Sequence, residues 1–172
     1  MTEFVDLEGV MPLLTSVHKA LIEKNLTVAT AESCTGGMIS MLLTALPGSS
    51  QYFTGGIGAY SNKVKAQVLG VAEAEIKEHG AVSEQVGRAM AERARVLMGT
   101  DIGIGITGIA GPGGATEGKP VGTVWLGISS NHSTTCRNLK LNGTRDEIRQ
   151  ASSYEALKDL ATIIEHNSGF SE

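Results

Sequence analysis

The chain has 172 residues, 41% of them apolar and 19% charged, with a net charge of −4, which suits one soluble domain with a proper core and gives no basic footprint for nucleic acid. No apolar run reaches the length of a membrane span, Met1-Thr2-Glu3 opens no signal-peptide pattern, and the two cysteines, Cys34 and Cys136, do not make a disulfide framework. These features predict a cytoplasmic protein with neither nucleic acid nor membrane as a partner.

Residues 7–24 carry apolar side chains at helical spacing (Val10, Leu13, Leu14, Val17, Leu21), with Pro12 tolerated near the start. The apolar run 26–31 reads as a buried strand. It ends at Ser33, and Gly36 and Gly37 open a helix expected over 34–46, stopped near Pro47-Gly48. Residues 52–61 alternate with glycines and read as a strand; 62–69 and 72–78 read as short helices. Ser83 is a good N-cap for a helix to Met98. Residues 101–107 form a strand of β-branched residues and glycine, followed by a long glycine/proline loop over 108–120. Residues 121–130 and 134–141 read as a β-hairpin around Asn131-His132, and Thr144 caps a last helix to about His166. Helices and strands that alternate and then add a hairpin predict a single α/β domain over 1–172: a three-layer α/β/α sandwich with a mixed sheet, its core over about 7–165 and a frayed tail at 167–172.

Two glycine motifs are decoys. Gly103-Ile104-Gly105-Ile106-Thr107-Gly108 matches the dinucleotide fingerprint literally, but its glycines lie inside a strand and no helix can follow through Gly111-Pro112-Gly113-Gly114. Gly113 to Lys119 spells most of a P-loop, yet Pro120 stands where the hydroxyl residue belongs and has no N–H. The four histidines (His18, His79, His132, His166) show no metal-ligand spacing. No cofactor and no metal are expected.

The turn at Ala31-Glu32-Ser33-Cys34-Thr35-Gly36-Gly37 is the best candidate for chemistry. A strand-to-helix turn presents a side chain at a sheet edge and aims unpartnered helix N–H groups at a ligand. Ser33 suits an acyl-transfer nucleophile, with the amides of Gly36 and Gly37 as oxyanion donors; its plainer reading is a helix cap. Cys34 is the rival nucleophile, but no histidine lies in a matching motif, and a small buried residue is its simpler reading. A serine without histidine needs another base, and lysine serves when desolvation lowers its pKa. Lys63 and Lys65 both leave the glycine-rich strand, and at two steps apart on a helix at most one faces Ser33. Thr107 and Tyr60 offer hydroxyls. Arg145 and Arg149, four apart on one helix face, offer either a phosphate clamp or ion-pair decoration.

Six motifs in order carry a resemblance over roughly Leu7 to Glu165: the Ser33 turn, Pro47-Gly48-Ser49-Ser50, Ala59-Tyr60-Ser61-Asn62, Gly80-Ala81-Val82-Ser83, Thr107 to Gly114, and Lys119 to Val124. Together they resemble the CinA C-terminal domain family, whose enzymatic members are nicotinamide-nucleotide amidases. The resemblance implies hydrolysis of the carboxamide of nicotinamide mononucleotide to nicotinate mononucleotide and ammonia. It implies Ser33 as nucleophile, Lys65 of the Tyr-Ser-Asn-x-x-Lys motif as base, and Tyr60 beside them in the catalytic set. Thr35, Gly36, Gly37, Asn62, Thr107, Gly108 and Arg145 fall on positions expected to bind substrate, although Thr144 stands where many relatives have Asp. The family also implies a homo-oligomer. Domains of this kind often follow a larger N-terminal domain, and a chain carrying this one alone is expected to be an enzyme in its own right. The competing expectation is a nucleotide-binding module without catalysis.

Overall fold

A computed structural model describes residues 7–166; the tail at 167–172 lies outside the described residues. The elements run α1 (Leu7–Glu23), β1 (Val28–Glu32), α2 (Met38–Leu43), β2 (Phe53–Gly58), α3 (Asn62–Gln67), α4 (Glu73–His79), α5 (Glu84–Met98), β3 (Ile102–Gly108), β4 (Thr123–Ser129), β5 (Thr134–Lys140) and α6 (Arg145–His166). One five-stranded sheet has the order β2-β1-β3-β4-β5. The first three strands are parallel; β4 and β5 return antiparallel. The sheet is mixed and helices cover both faces, as the alternation and hairpin predict.

Period-two alternation sorts side chains to the two faces. Val28, Ile102, Ile104, Ile106, Val124 and Leu126 meet Leu14, Leu21, Leu157 and Leu160 of α1 and α6 in one aliphatic core. The opposite face is lined by small residues, and α5 lies against it. Ala29 and Ala31 pack with Val86, Met90 and Ala94 there. A Cβ at Gly105 would stand 2.2 Å from the Ala91 amide nitrogen, and one at Gly103 2.2 Å from the Ala91 carbonyl oxygen. The spurious dinucleotide motif is thus a glycine track that lets a helix backbone rest on the sheet. The second decoy has a structural use too: Lys119 Nζ donates to the His79 carbonyl at 2.8 Å, tying the loop after β3 to the end of α4.

Two boundaries differ from expectation in ways that matter. The helix expected from residue 34 begins only at Met38, because Gly36 and Gly37 take φ of +62° and +97° and residues 34–37 form a turn. In addition, β2 stops at Gly58, so Ala59 and Tyr60 form a loop before the Ser61 cap of α3. The β1–β2 register pairs Glu32 with Gly58, and both chains leave the sheet at that point. At the far end, Thr144 and Glu147 form a reciprocal capping box on α6: Thr144 N–H and Oγ1 donate to Glu147 Oε2, and Glu147 N–H donates back to Thr144 Oγ1.

Candidate active site

Ser33 follows the last residue of β1, and its own N–H donates to Ile106 O of the central strand, which anchors the turn to the sheet. Directly below it, the Glu32 side chain is 1% exposed and organises the turn. Its Oε2 accepts from Thr35 Oγ1 (2.7 Å), Gly37 N (3.0 Å) and Ile39 N (3.1 Å); its Oε1 accepts from Ser40 N (2.8 Å) and Ser40 Oγ (2.7 Å). A carboxylate at a helix start satisfies orphan amides and complements the helix dipole. Ser33 is therefore not the helix cap; Glu32 has that role, which leaves the serine hydroxyl free for another partner.

That partner is Lys65. Its side chain is 1% exposed, and Nζ lies 3.0 Å from Ser33 Oγ, 2.8 Å from Ala59 O and 3.3 Å from Tyr60 O. Burial pushes its ammonium below the ordinary lysine range. Lys63 is exposed and lines a separate cleft with Gln67 and Lys77. Of the two lysines left open by helical spacing, Lys65 reaches the serine. Cys34 is buried, and burial pushes its thiol up to about 12, against the pull of its own N–H, Lys65 and the Thr35 N–H. A thiol held that high is a poor nucleophile at neutral pH.

Ser33, Cys34, Tyr60, Asn62, Lys65 and Arg145 line one cleft with Ala81, Val82, Thr107, Gly108 and Ala110. Its volume is about 220 Å³, below the ~300–1,000 Å³ of sites that swallow a whole small molecule. A cleft of this size has room for only part of a nucleotide-sized molecule. Arg145 spans the mouth, donating to Gly111 O (2.9 Å) and Tyr60 Oη (3.1 Å). Tyr60 itself is 63% exposed, at the rim.

Five candidate residues sit differently from expectation. Thr35 is fully buried with its hydroxyl on Glu32, so it faces away from the cleft. The amides expected to be free are engaged: Gly36 N–H donates to Ser33 O at 3.1 Å and Gly37 N–H to Glu32. All three residues support the nucleophile from behind because the turn tightens before the helix begins. Thr107 lines the cleft, but its hydroxyl proton goes to Ala81 O at 2.7 Å, which leaves its oxygen as an acceptor. Arg149, paired with Arg145 in the sequence, turns to the nucleophile turn instead, donating from Nη2 to Thr35 O at 3.0 Å.

Glu32 is a cap that helical periodicity alone does not single out, although an acidic residue just before a helix start is a signal for one. The carbonyls of Ala59 and Tyr60 carry no side-chain signal at all. Among the described residues, no group of three or more His, Cys, Asp or Glu is placed to hold a metal ion. No described helix is long and apolar enough to cross a membrane.

Residues 11–164 match the family model of the CinA C-terminal domain. A CinA-like protein of Gemmatimonas aurantiaca is 51% identical over 146 residues, covering 85% of this chain and 34% of that protein. Another, from Geobacter sulfurreducens, is 44% identical over 150 residues, covering 87% and 36%. The chain thus spans about a third of the length of the curated relatives it matches. Among solved structures, the competence damage-inducible protein A of Klebsiella pneumoniae superposes with a TM-score of 0.89 at 31% identity, covering 92% of this chain and 99% of that one. A competence/damage inducible protein of Agrobacterium tumefaciens gives 0.87 at 35% identity, covering 90% and 94%.

Proposed function

From the premise that this chain belongs to the CinA C-terminal domain family, we propose that it is a Ser/Lys amidase acting on the carboxamide of nicotinamide mononucleotide. One observation carries the reading: a buried lysine, its amine against two backbone carbonyls, lies 3.0 Å from the hydroxyl of Ser33. A neutral amine has two N–H bonds and one lone pair. With the N–H bonds on Ala59 O and Tyr60 O, the lone pair points to the Ser33 hydroxyl, as a general base requires.

In the proposed mechanism, Ser33 Oγ attacks the carboxamide carbon as its proton passes to Lys65. The Cys34 N–H, the first amide after the nucleophile, stabilises the developing oxyanion in place of the occupied Gly36 and Gly37 amides. The C–N bond breaks, and the Lys65 ammonium returns the proton to the departing ammonia. Water, deprotonated by the same amine, then cleaves the acyl-serine and releases nicotinate mononucleotide. The small cleft takes the pyridine ring and its amide. The ribose phosphate remains at the mouth, near Tyr60, Asn62 and Arg145, where a guanidinium with unused donors suits an anion. The reaction needs no cofactor or metal and fits a cytoplasmic setting.

Ammonia release from nicotinamide mononucleotide tests the reading in wild type, Ser33→Ala, Lys65→Ala and Cys34→Ala. Expected are release by wild type and Cys34→Ala and loss in the other two. Full activity of Ser33→Ala would overturn the serine mechanism. Binding without release by wild type would leave a nucleotide-binding module.

A further inference from the structure

Arg149 lies outside the cleft, with its side chain 27% exposed and a loose ion pair to Asp146 at 3.5 Å. The other end of its guanidinium meets the nucleophile turn. Nη2 donates to Thr35 O at 3.0 Å. The peptide that carries this carbonyl also carries the Gly36 N–H, which donates to Ser33 O at 3.1 Å. The peptide that carries the Ser33 carbonyl carries, in turn, the Cys34 N–H. Two peptide groups in series thus connect a fixed positive charge on α6 to the amide next to the nucleophile. Hydrogen bonds in such a chain polarise one another, and each also fixes the orientation of the next peptide plane.

We infer that Arg149 is a positioning residue that aims and polarises the Cys34 N–H as the oxyanion donor, through the Thr35 and Ser33 peptides. The inference deepens the serine-amidase reading and rests on it. Gly36 belongs to the same device. Its N–H closes the turn through Cys34 and Thr35 onto Ser33 O, its own φ of +62° carries the chain on in the left-handed region, and a Cβ there would lie 3.5 Å from Arg149 Nη2. Glu32 holds the turn from inside the domain, and Arg149 holds it from the α6 side.

The test compares wild type, Arg149→Lys and Arg149→Met in three measurements at a temperature where all are folded. The first is kcat and KM for ammonia release. The second is the rate at which a fluorophosphonate labels Ser33, a reaction that builds the same oxyanion without the natural substrate. The third is the amide proton shift of Cys34. Arg149→Met is expected to lower kcat and the labelling rate about tenfold, less than the ~10²–10³ of losing an oxyanion donor outright. KM and the pH midpoint set by Lys65 should hold, and the Cys34 amide should move upfield. Arg149→Lys should recover part of each effect through a single donor to Thr35 O. Wild-type labelling with an unmoved Cys34 amide in Arg149→Met overturns the inference; so does a change confined to KM. If wild type releases no ammonia, the substrate assignment fails, while labelling and the amide shift still decide the role of Arg149. Absence of wild-type Ser33 labelling overturns the inference as well.

Discussion

Glu32→Gln puts the support of the nucleophile turn to a quantitative test. The buried carboxylate accepts three hydrogen bonds on Oε2 and two on Oε1. A glutamine keeps one oxygen. Its better orientation places that oxygen toward Thr35, Gly37 and Ile39 and turns the NH₂ group to Ser40. The Ser40 hydroxyl can rotate to accept, but the Ser40 N–H then faces another donor. A buried donor left unpaired costs about 1–3 kcal/mol. The three surviving bonds lose their charge-assisted character, and roughly half the strength of each with it. Together these give a destabilisation of about 3 kcal/mol, or a fall in Tm of ~6–12 °C for a domain of this size. Urea unfolding should show a lower midpoint at unchanged m-value, the sign of a native-state loss. A midpoint shift worth under about 1 kcal/mol would refute the reasoning, because the five contacts would then be replaceable by water.

The low pKa of Lys65 makes stability depend on pH with a definite sign. Its folded-state pKa lies below the ordinary 10.5, so between the two values the unfolded chain binds the extra proton, and stability rises with pH through that window. In calorimetry from pH 7 to 10, the Tm of Lys65→Met relative to wild type should therefore decline as pH rises; a flat difference would refute a depressed pKa. Gly105→Ala forces a Cβ to within 2.2 Å of the Ala91 amide nitrogen and 2.7 Å of the Gly87 carbonyl oxygen. Backbone cannot swing aside as a side chain can, so a loss of about 3 kcal/mol is expected by urea unfolding. Gly113→Ala, with nothing within 4 Å of the added carbon, should stay near neutral, and equal effects at both positions would sink the packing account.

The order of elements and the mixed sheet were legible because hydrophobic periodicity carries them: Ile102, Ile104 and Ile106 alternate with glycine, and Val10 to Leu21 repeat at helical spacing. The pairing of Ser33 with Lys65 was half legible. Spacing in the sequence says only that one of Lys63 and Lys65 faces the serine, and the Tyr-Ser-Asn-x-x-Lys motif points to Lys65; the geometry that brings it there depends on where β2 ends and how Ala59 and Tyr60 turn. The oxyanion amides were misread for a related reason. Gly36 and Gly37 looked like an opened helix N-terminus with free N–H groups, and in the folded chain a carboxylate one residue before the serine takes up part of that terminus. Backbone partners such as Ala59 O, and long-range ones such as Arg149 on Thr35 O, have no local pattern to betray them, since they exist only once distant segments are in contact.

The pairing of Glu32 with Gly58 has a consequence beyond the sheet. Ser33 is the next residue on one strand, and the loop that delivers Ala59 O and Lys65 begins at the next residue on the other. The two halves of the dyad are thus aligned by the register of one parallel strand pair. A slip of one residue would displace them by about 3.3 Å and send alternate side chains to the opposite face. The Ser33–Lys65 contact is a vernier on that register. A chain with every helix and strand in place but β2 one notch out of step would look native by circular dichroism, and only the chemistry of its serine would expose the error.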